Sequence, residues 1–145
     1  MNDSEWTIRE AKGEDLAFIY STWTNSYRYD SDLARGCKNS VFYPEYATVI
    51  DHILSQPGAQ VQIAALKDTP WVILGYFVSE GCVGHYTFVK EAFRCRGIAR
   101  ALWKAAETPT SIASHRTGMI EPVLSRHAHS VVYNPFVLFR QKRDE

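Results

Sequence analysis

Gly84 to Glu107 reads GHYTFVKEAFRCRGIARALWKAAE, and this stretch decides the fold. His85 to Val89 (HYTFV) is rich in β-branched and aromatic residues, which suit a pleated, half-buried strand. Lys90 to Arg96 is a short connection carrying four charges. Gly97 then opens a helical run in which Ile98, Ala101, Leu102 and Ala105 recur on one apolar face, with Arg100, Lys104 and Glu107 largely opposite.

The junction between strand and helix is where chemistry is expected. The first N–H groups of a helix lack partners inside it, and the macrodipole adds roughly half a positive charge there. A phosphate or pyrophosphate suits such an end. Gly97 removes a side chain where an anion must approach the backbone, and Ala99 keeps the next turn slim. Arg94, Arg96 and Arg100 add positive charge around the same point. No Gly-Lys-Ser or Gly-Lys-Thr follows, so this is not a nucleotide P-loop, and Gly97 lacks the partner glycines of a dinucleotide fingerprint. A glycine opening an amphipathic helix is also common in α/β proteins that bind no anion.

VKEAFRCRGIARAL, from Val89 to Leu102, resembles the acyl-CoA-binding motif of the GNAT N-acetyltransferase superfamily. That motif is a strand ending in Val, a short loop, then Arg/Gln-x-x-Gly-x-Gly/Ala opening a helix; here it stands as Arg94-x-x-Gly97-x-Ala99. The resemblance implies acetyl-CoA as co-substrate. The backbone of Arg94, Cys95, Arg96, Gly97, Ile98, Ala99 and Arg100 would surround its pyrophosphate, and the backbone of Phe88 and Val89 would face the pantetheine arm and thioester. It also implies two central strands that splay to admit the thioester.

The remaining chain fits one domain, 1–145. A chain of 145 residues buries roughly two-thirds of its unfolded surface and needs no metal or disulfide staple. Lys plus Arg and Asp plus Glu number 16 each, so the net charge is zero, which argues against a general nucleic-acid binder. Cys37, Cys82 and Cys95 are widely spaced with no CxxC pair, and free thiols suit a reducing cytoplasm. No apolar leader opens the chain and no apolar run approaches the ~18 residues of a membrane span.

In order, Glu5 to Arg9 reads as a strand and Asp15 to Tyr27 as a helix. Tyr29 to Tyr43 reads as a loop, and Pro44 as the start of a helix running to Ser55. Val61 to Leu66 and Trp71 to Ser79 read as strands joined tightly, hence antiparallel. Thr110 to His115 reads as a strand parallel to the central one across a right-handed crossover. Gly118 to His127 reads as a short helix, and Val131 to Phe139 as a strand broken at Asn134-Pro135. The expected fold is α/β (α+β): a GNAT-like mixed, largely antiparallel twisted sheet flanked by helices, in the order β-α-α-β-β-β-α-β-(α)-β with a shortened tail.

Transfer to an amine needs a neutral nitrogen, whereas an alkyl ammonium with pKa near ~10 is protonated at pH 7. A base, a donor for the developing oxyanion and an acid for the thiolate are therefore sought. The family's usual acid is a tyrosine of the late helix, but no tyrosine lies between Thr87 and Val132. Tyr133 is the nearest substitute, and a buried aromatic is its plainer role. His115 and His85 are candidate bases, against the plainer reading of satisfied structural histidines. Glu80 and Glu91 read as solvated turn residues. His127, His129 and His115 do not make a metal set, because no Cys or carboxylate falls at matching spacing. Tyr27, Tyr29, Phe42, Tyr43 and Tyr46 cluster around the first loop, where the resemblance places the acceptor pocket; Asp30 or Asp32 there would attract a cationic amine.

The expected activity is acetyl transfer from acetyl-CoA to an amine of a small molecule or protein by direct attack. The alternative is a catalytically weak or inactive GNAT-like structural or interaction protein. No nucleic-acid or membrane partner is expected, and the resemblance allows a homodimer.

Overall fold

The computed structural model describes residues 5–117 and 131–139. Its elements are β1 (Trp6–Glu10), α1 (Leu16–Asp30), α2 (Asp32–Arg35), α3 (Asn39–Ser55), β2 (Ala59–Leu66), β3 (Ile73–Glu80), β4 (Val83–Val89), α4 (Ile98–Ala105), β5 (Ile112–Ala113) and β6 (Val132–Tyr133). The strands form one six-stranded sheet in sequence order. β1 to β4 pair antiparallel, and β4–β5 and β5–β6 pair parallel. A mixed, largely antiparallel sheet is therefore what the chain builds.

The two faces of the sheet are covered by different helices. On one face Ile19, Trp23 and Tyr27 of α1 and Phe42, Tyr46, Ile50 and Ile53 of α3 meet Ile63, Tyr76, Val78 and Tyr86. The indole of Trp23 stacks on Tyr86 with ring centroids 5.0 Å apart. On the other face Ile98 and Leu102 of α4 meet Trp6, Ala64, Leu74, Phe77 and Val89. The apolar stripe read from the sequence is thus the buried side of α4, except that Ala105 is exposed.

The stretch expected to be a loop from Tyr29 to Tyr43 is mostly helical. α1 runs on to Asp30, and α2 is a separate turn begun by Ser31, whose Oγ accepts from the Ala34 N–H. Arg28 ties the turn down: its guanidinium donates to the carbonyls of Ala34 and Cys37 at 3.0 and 3.1 Å and to Asn39 Oδ1 at 3.0 Å. Pro44 does not begin α3 but sits inside it, because Asn39 to Tyr43 already form its first turn. The C-terminal strand is only Val132–Tyr133, and a tight helical turn follows at Pro135–Phe139. The helix expected over Gly118 to His127 lies outside the described residues.

Candidate functional site

The β4–α4 junction is open to solvent from Arg94 to Gly97. After β4 a tight turn, Glu91–Phe93, reverses the chain, and Arg94 Nε donates to the Val89 carbonyl at 3.0 Å, fixing the loop to the strand end. Cys95 has φ 64° and Gly97 has φ 83°, so the chain passes through left-handed backbone twice before α4 starts. Gly97 caps α4 from that conformation, and beyond its chain neighbours no atom of the described residues lies within 4 Å of where a Cβ would stand. The amides of Ile98, Ala99 and Arg100 head the helix without carbonyl partners inside it. Between 90 and 104 five basic residues face one acidic one, Glu91. Arg94 is tied to the strand, and Arg96 lies over the Phe93 ring at 5.8 Å. The junction can take an anion on backbone donors in a positive field.

β4 and β5 pair at only two positions, Val83 with Ile112 and Gly84 with Ala113. Beyond Gly84, β4 continues to Val89 while β5 has ended. From His85 to Val89, β4 therefore has no paired residue of β5. Beside the last paired positions lies a small cleft of about 20 Å³, room for roughly one water, lined by His85, Thr87, Trp103, Thr110, His115 and Thr117, among others. On the opposite edge of β4, Gly75 of β3 pairs with Val89, and a Cβ there would meet the Phe88 carbonyl oxygen at 2.5 Å.

Here His85 and His115 join one buried hydrogen-bonded chain. The Trp23 indole N–H donates to Tyr46 Oη at 2.9 Å, and Tyr46 Oη is 2.6 Å from His115 Nε2. His115 Nδ1 is 2.8 Å from Ser114 Oγ, which is 2.7 Å from His85 Nδ1. Glu80 Oε1 stands 3.6 Å from His85 Nε2, longer than a hydrogen bond. Burial holds His115 neutral, pushing its pKa down to about 3. Burial also lowers the pKa of His85, with Glu80 partly opposing.

This geometry changes the reading of single residues. The two candidate histidines are not isolated: the structure brings them together through Ser114. His115 has both nitrogens engaged and is a poor direct base. Tyr133 stands apart on β6, 42% exposed with the Arg116 guanidinium 6.0 Å above its ring, so it is not the buried aromatic that was its plainer role. Glu80 is not a solvated turn residue; it ends β3 with a side chain 20% exposed. Tyr27, Phe42 and Tyr46 are core, whereas Tyr29 is exposed, and Asp32 is paired with Arg35. Among the described residues no group of three His, Cys, Asp or Glu converges as a metal site, and no helix is long and apolar enough to cross a membrane. His127 and His129 lie outside the described residues. Sequence reading missed Ser114, and it placed Tyr46 in the aromatic cluster of the first loop without linking it or Trp23 to the histidines, because those links join residues up to 69 positions apart.

No protein-family model and no curated protein matches the chain. Solved structures do match. A Pyrococcus furiosus protein assigned as an acetyl transferase aligns with a TM-score of 0.57 and 18% identity, over 97% of this chain and 96% of that one. The aminoglycoside N-acetyltransferase AAC(6')-Iy, in complex with CoA, aligns with a TM-score of 0.50 and 15% identity, over 97% of this chain and 90% of that one. At such identities the likeness is one of fold. With helices on both faces of a mixed six-stranded sheet, the chain has the fold of the GNAT acetyltransferases.

Proposed function

We propose that the protein is a GNAT-type N-acetyltransferase that moves an acetyl group from acetyl-CoA to an amine of a small molecule or protein. The observation that carries this reading is the open, left-handed Gly97 at the head of α4, beside the β4 edge that has no paired β5 residue among the described residues. Backbone amides from Arg96 to Arg100 would hold the diphosphate, with Arg96 and Arg100 supplying charge. This edge of β4, at Phe88 and Val89, would receive the pantetheine arm. Acetyl-CoA supplies an acyl carbon activated as a thioester. The protein's part is to position it, exclude water and receive the amine's proton.

The test is thermal unfolding with and without acetyl-CoA. Ligand at 100 times its dissociation constant stabilises the fold by about 2.7 kcal/mol, a midpoint rise of roughly 5–10 °C for a chain of this size. Gly97→Glu fills the open space and is expected to abolish the rise while circular dichroism stays native. No rise with the wild-type chain at millimolar acetyl-CoA overturns the proposal.

A second reading is a GNAT-like structural or interaction protein. It is favoured by one observation: burial lowers the pKa of both His85 and His115, so neither ring is a strong base. Thiol release from acetyl-CoA against a panel of amines separates the two, since turnover eliminates the second.

A further inference from the structure

β4 carries one residue too many where its pairing with β5 ends. Val78 and Ser79 are consecutive on β3, yet they pair with Tyr86 and Gly84 of β4. His85 is therefore the extra residue of a β-bulge, and a bulge re-aims the side chain it carries. Here the ring meets β5, with Nδ1 2.7 Å from Ser114 Oγ. The residue before it, Gly84, faces the crossover from α4 to β5: a Cβ there would stand 3.0 Å from Thr110 Cγ2. The bulge thus brings His85 and Thr110 to one place, and both line the small cleft beside the paired positions.

Each of these two residues holds a polar atom that the protein leaves unpaired. His85 Nε2 and Thr110 Oγ1 are buried, with no hydrogen-bond partner among the described residues. The His85 side chain is only 4% exposed, and Glu80 Oε1, 3.6 Å from Nε2, is too far for a hydrogen bond. Orphaned buried polar atoms are costly and few in native proteins. Donor accounting shows what Nε2 needs. The Trp23 indole only donates, and it donates to Tyr46 Oη. Tyr46 finds an acceptor among the described residues only at His115 Nε2, so His115 carries its proton on Nδ1 and gives it to Ser114 Oγ. Ser114 then gives its one proton to His85 Nδ1, which leaves His85 protonated on Nε2 and in need of an acceptor.

We infer that the cleft is a binding site for one resident water, which accepts from His85 Nε2–H and donates to Thr110 Oγ1. The volume is that of one water, and a buried water needs two to four polar partners. Thr87 is the third: it lines the same cleft, and its Oγ1 accepts from the Trp103 indole at 2.9 Å while keeping a proton to give. The water extends the chain that begins at Trp23 in α1 and Tyr46 in α3 as far as the crossover. It fastens the crossover to β4 at a seam where only two residue pairs join β4 to β5. The site belongs to the fold and is independent of the function proposed above.

Crystallography of the full wild-type chain at high resolution tests this without any variant. It is expected to show an ordered water within about 2.7–3.2 Å of both His85 Nε2 and Thr110 Oγ1. A cleft with no such water overturns the inference. Imidazole nitrogen NMR at pH 7 is expected to find His85 protonated on Nε2, and a ring protonated on Nδ1 instead overturns the bridge. Thr110→Val keeps the shape of the side chain and removes its oxygen. Deuterium exchange at the Ser114, Val132 and Asn134 amides is then expected to quicken about fivefold or more, with the amides of β2 and β3 unchanged. Thr110→Ser, which keeps the hydroxyl, is expected to retain the water and the wild-type exchange. A Thr110→Val chain that exchanges like wild type shows that no water fastens the crossover, and overturns that role.

Discussion

Gly97 and Gly75 are both needed, for opposite reasons. Gly97 has room for a side chain but a backbone that L-residues resist, at φ 83°. Gly75 has ordinary backbone but no room, with the Phe88 carbonyl 2.5 Å from an added Cβ. Gly75→Ala is therefore expected to push β4 away at Phe88 and Val89 and to destabilise the fold by about 1–3 kcal/mol, read from urea unfolding. It is also expected to weaken acetyl-CoA binding more than a distant core change of equal cost, such as Ile50→Val. Gly97 was legible in the sequence because a spacing pattern surrounds it. Gly75 was not, since nothing in YFVSE or its neighbours tells which backbone it faces. His85 and His115 were legible as unusual residues but not as a pair, because the linking hydroxyl of Ser114 has no signature of its own.

At the scale of elements, periodicity marked the strands and the central helix well. β2, β3, β4 and α4 lie where alternation and the apolar stripe put them, to within a few residues. The failure from Tyr29 to Tyr43 has a physical cause. Asp, Gly and Asn lower local helix propensity there, but Ser31 caps the start of α2 and Arg28 donates to the Ala34 and Cys37 carbonyls at its end and to the Asn39 side chain. Arg28→Ala is expected to fray α2 and lower stability by about 1–3 kcal/mol, with loss of helical signal in circular dichroism. Pro44 misled because proline usually marks a first helical turn, whereas here it withholds an N–H from the Ser40 carbonyl inside α3. Pro44→Ala is expected to stabilise the protein by roughly 2 kcal/mol, the helix gain outweighing the added freedom of the unfolded chain. Urea unfolding checks it, and a loss of stability would show that the carbonyl of Ser40 is satisfied otherwise.

For the molecule as a whole, the buried histidines set an acid limit. In the unfolded chain both titrate near pH 6.5. Folded, His115 is held down to about 3, and His85 below its ordinary value. Below pH 6.5 the unfolded state binds more protons than the native one, so stability is complete above that pH and falls as pH drops. His115 alone removes about 1 kcal/mol per pH unit over this range, and His85 acts in the same direction. Asp15, lowered by its hydrogen bond to Arg9, contributes above its unfolded value near 3.8 and so does not act in this window. The unfolding free energy is expected to be about 2–4 kcal/mol smaller at pH 5 than at pH 7, and an unchanged value would mean that a ring takes up a proton while folded. The two-residue pairing of β5 has a different consequence. Its backbone bonds to β4 are few, with the Ser114 amide on the Gly84 carbonyl among them, and β6 hangs on β5 through the Val132 and Asn134 amides. β1 to β4, by contrast, are laced over five to seven positions at each seam. In deuterium the amides of Ser114, Val132 and Asn134 should exchange together and early, through a partial opening that leaves β1 to β4 protected, so that the wall of the cleft detaches as a unit while its floor stays folded.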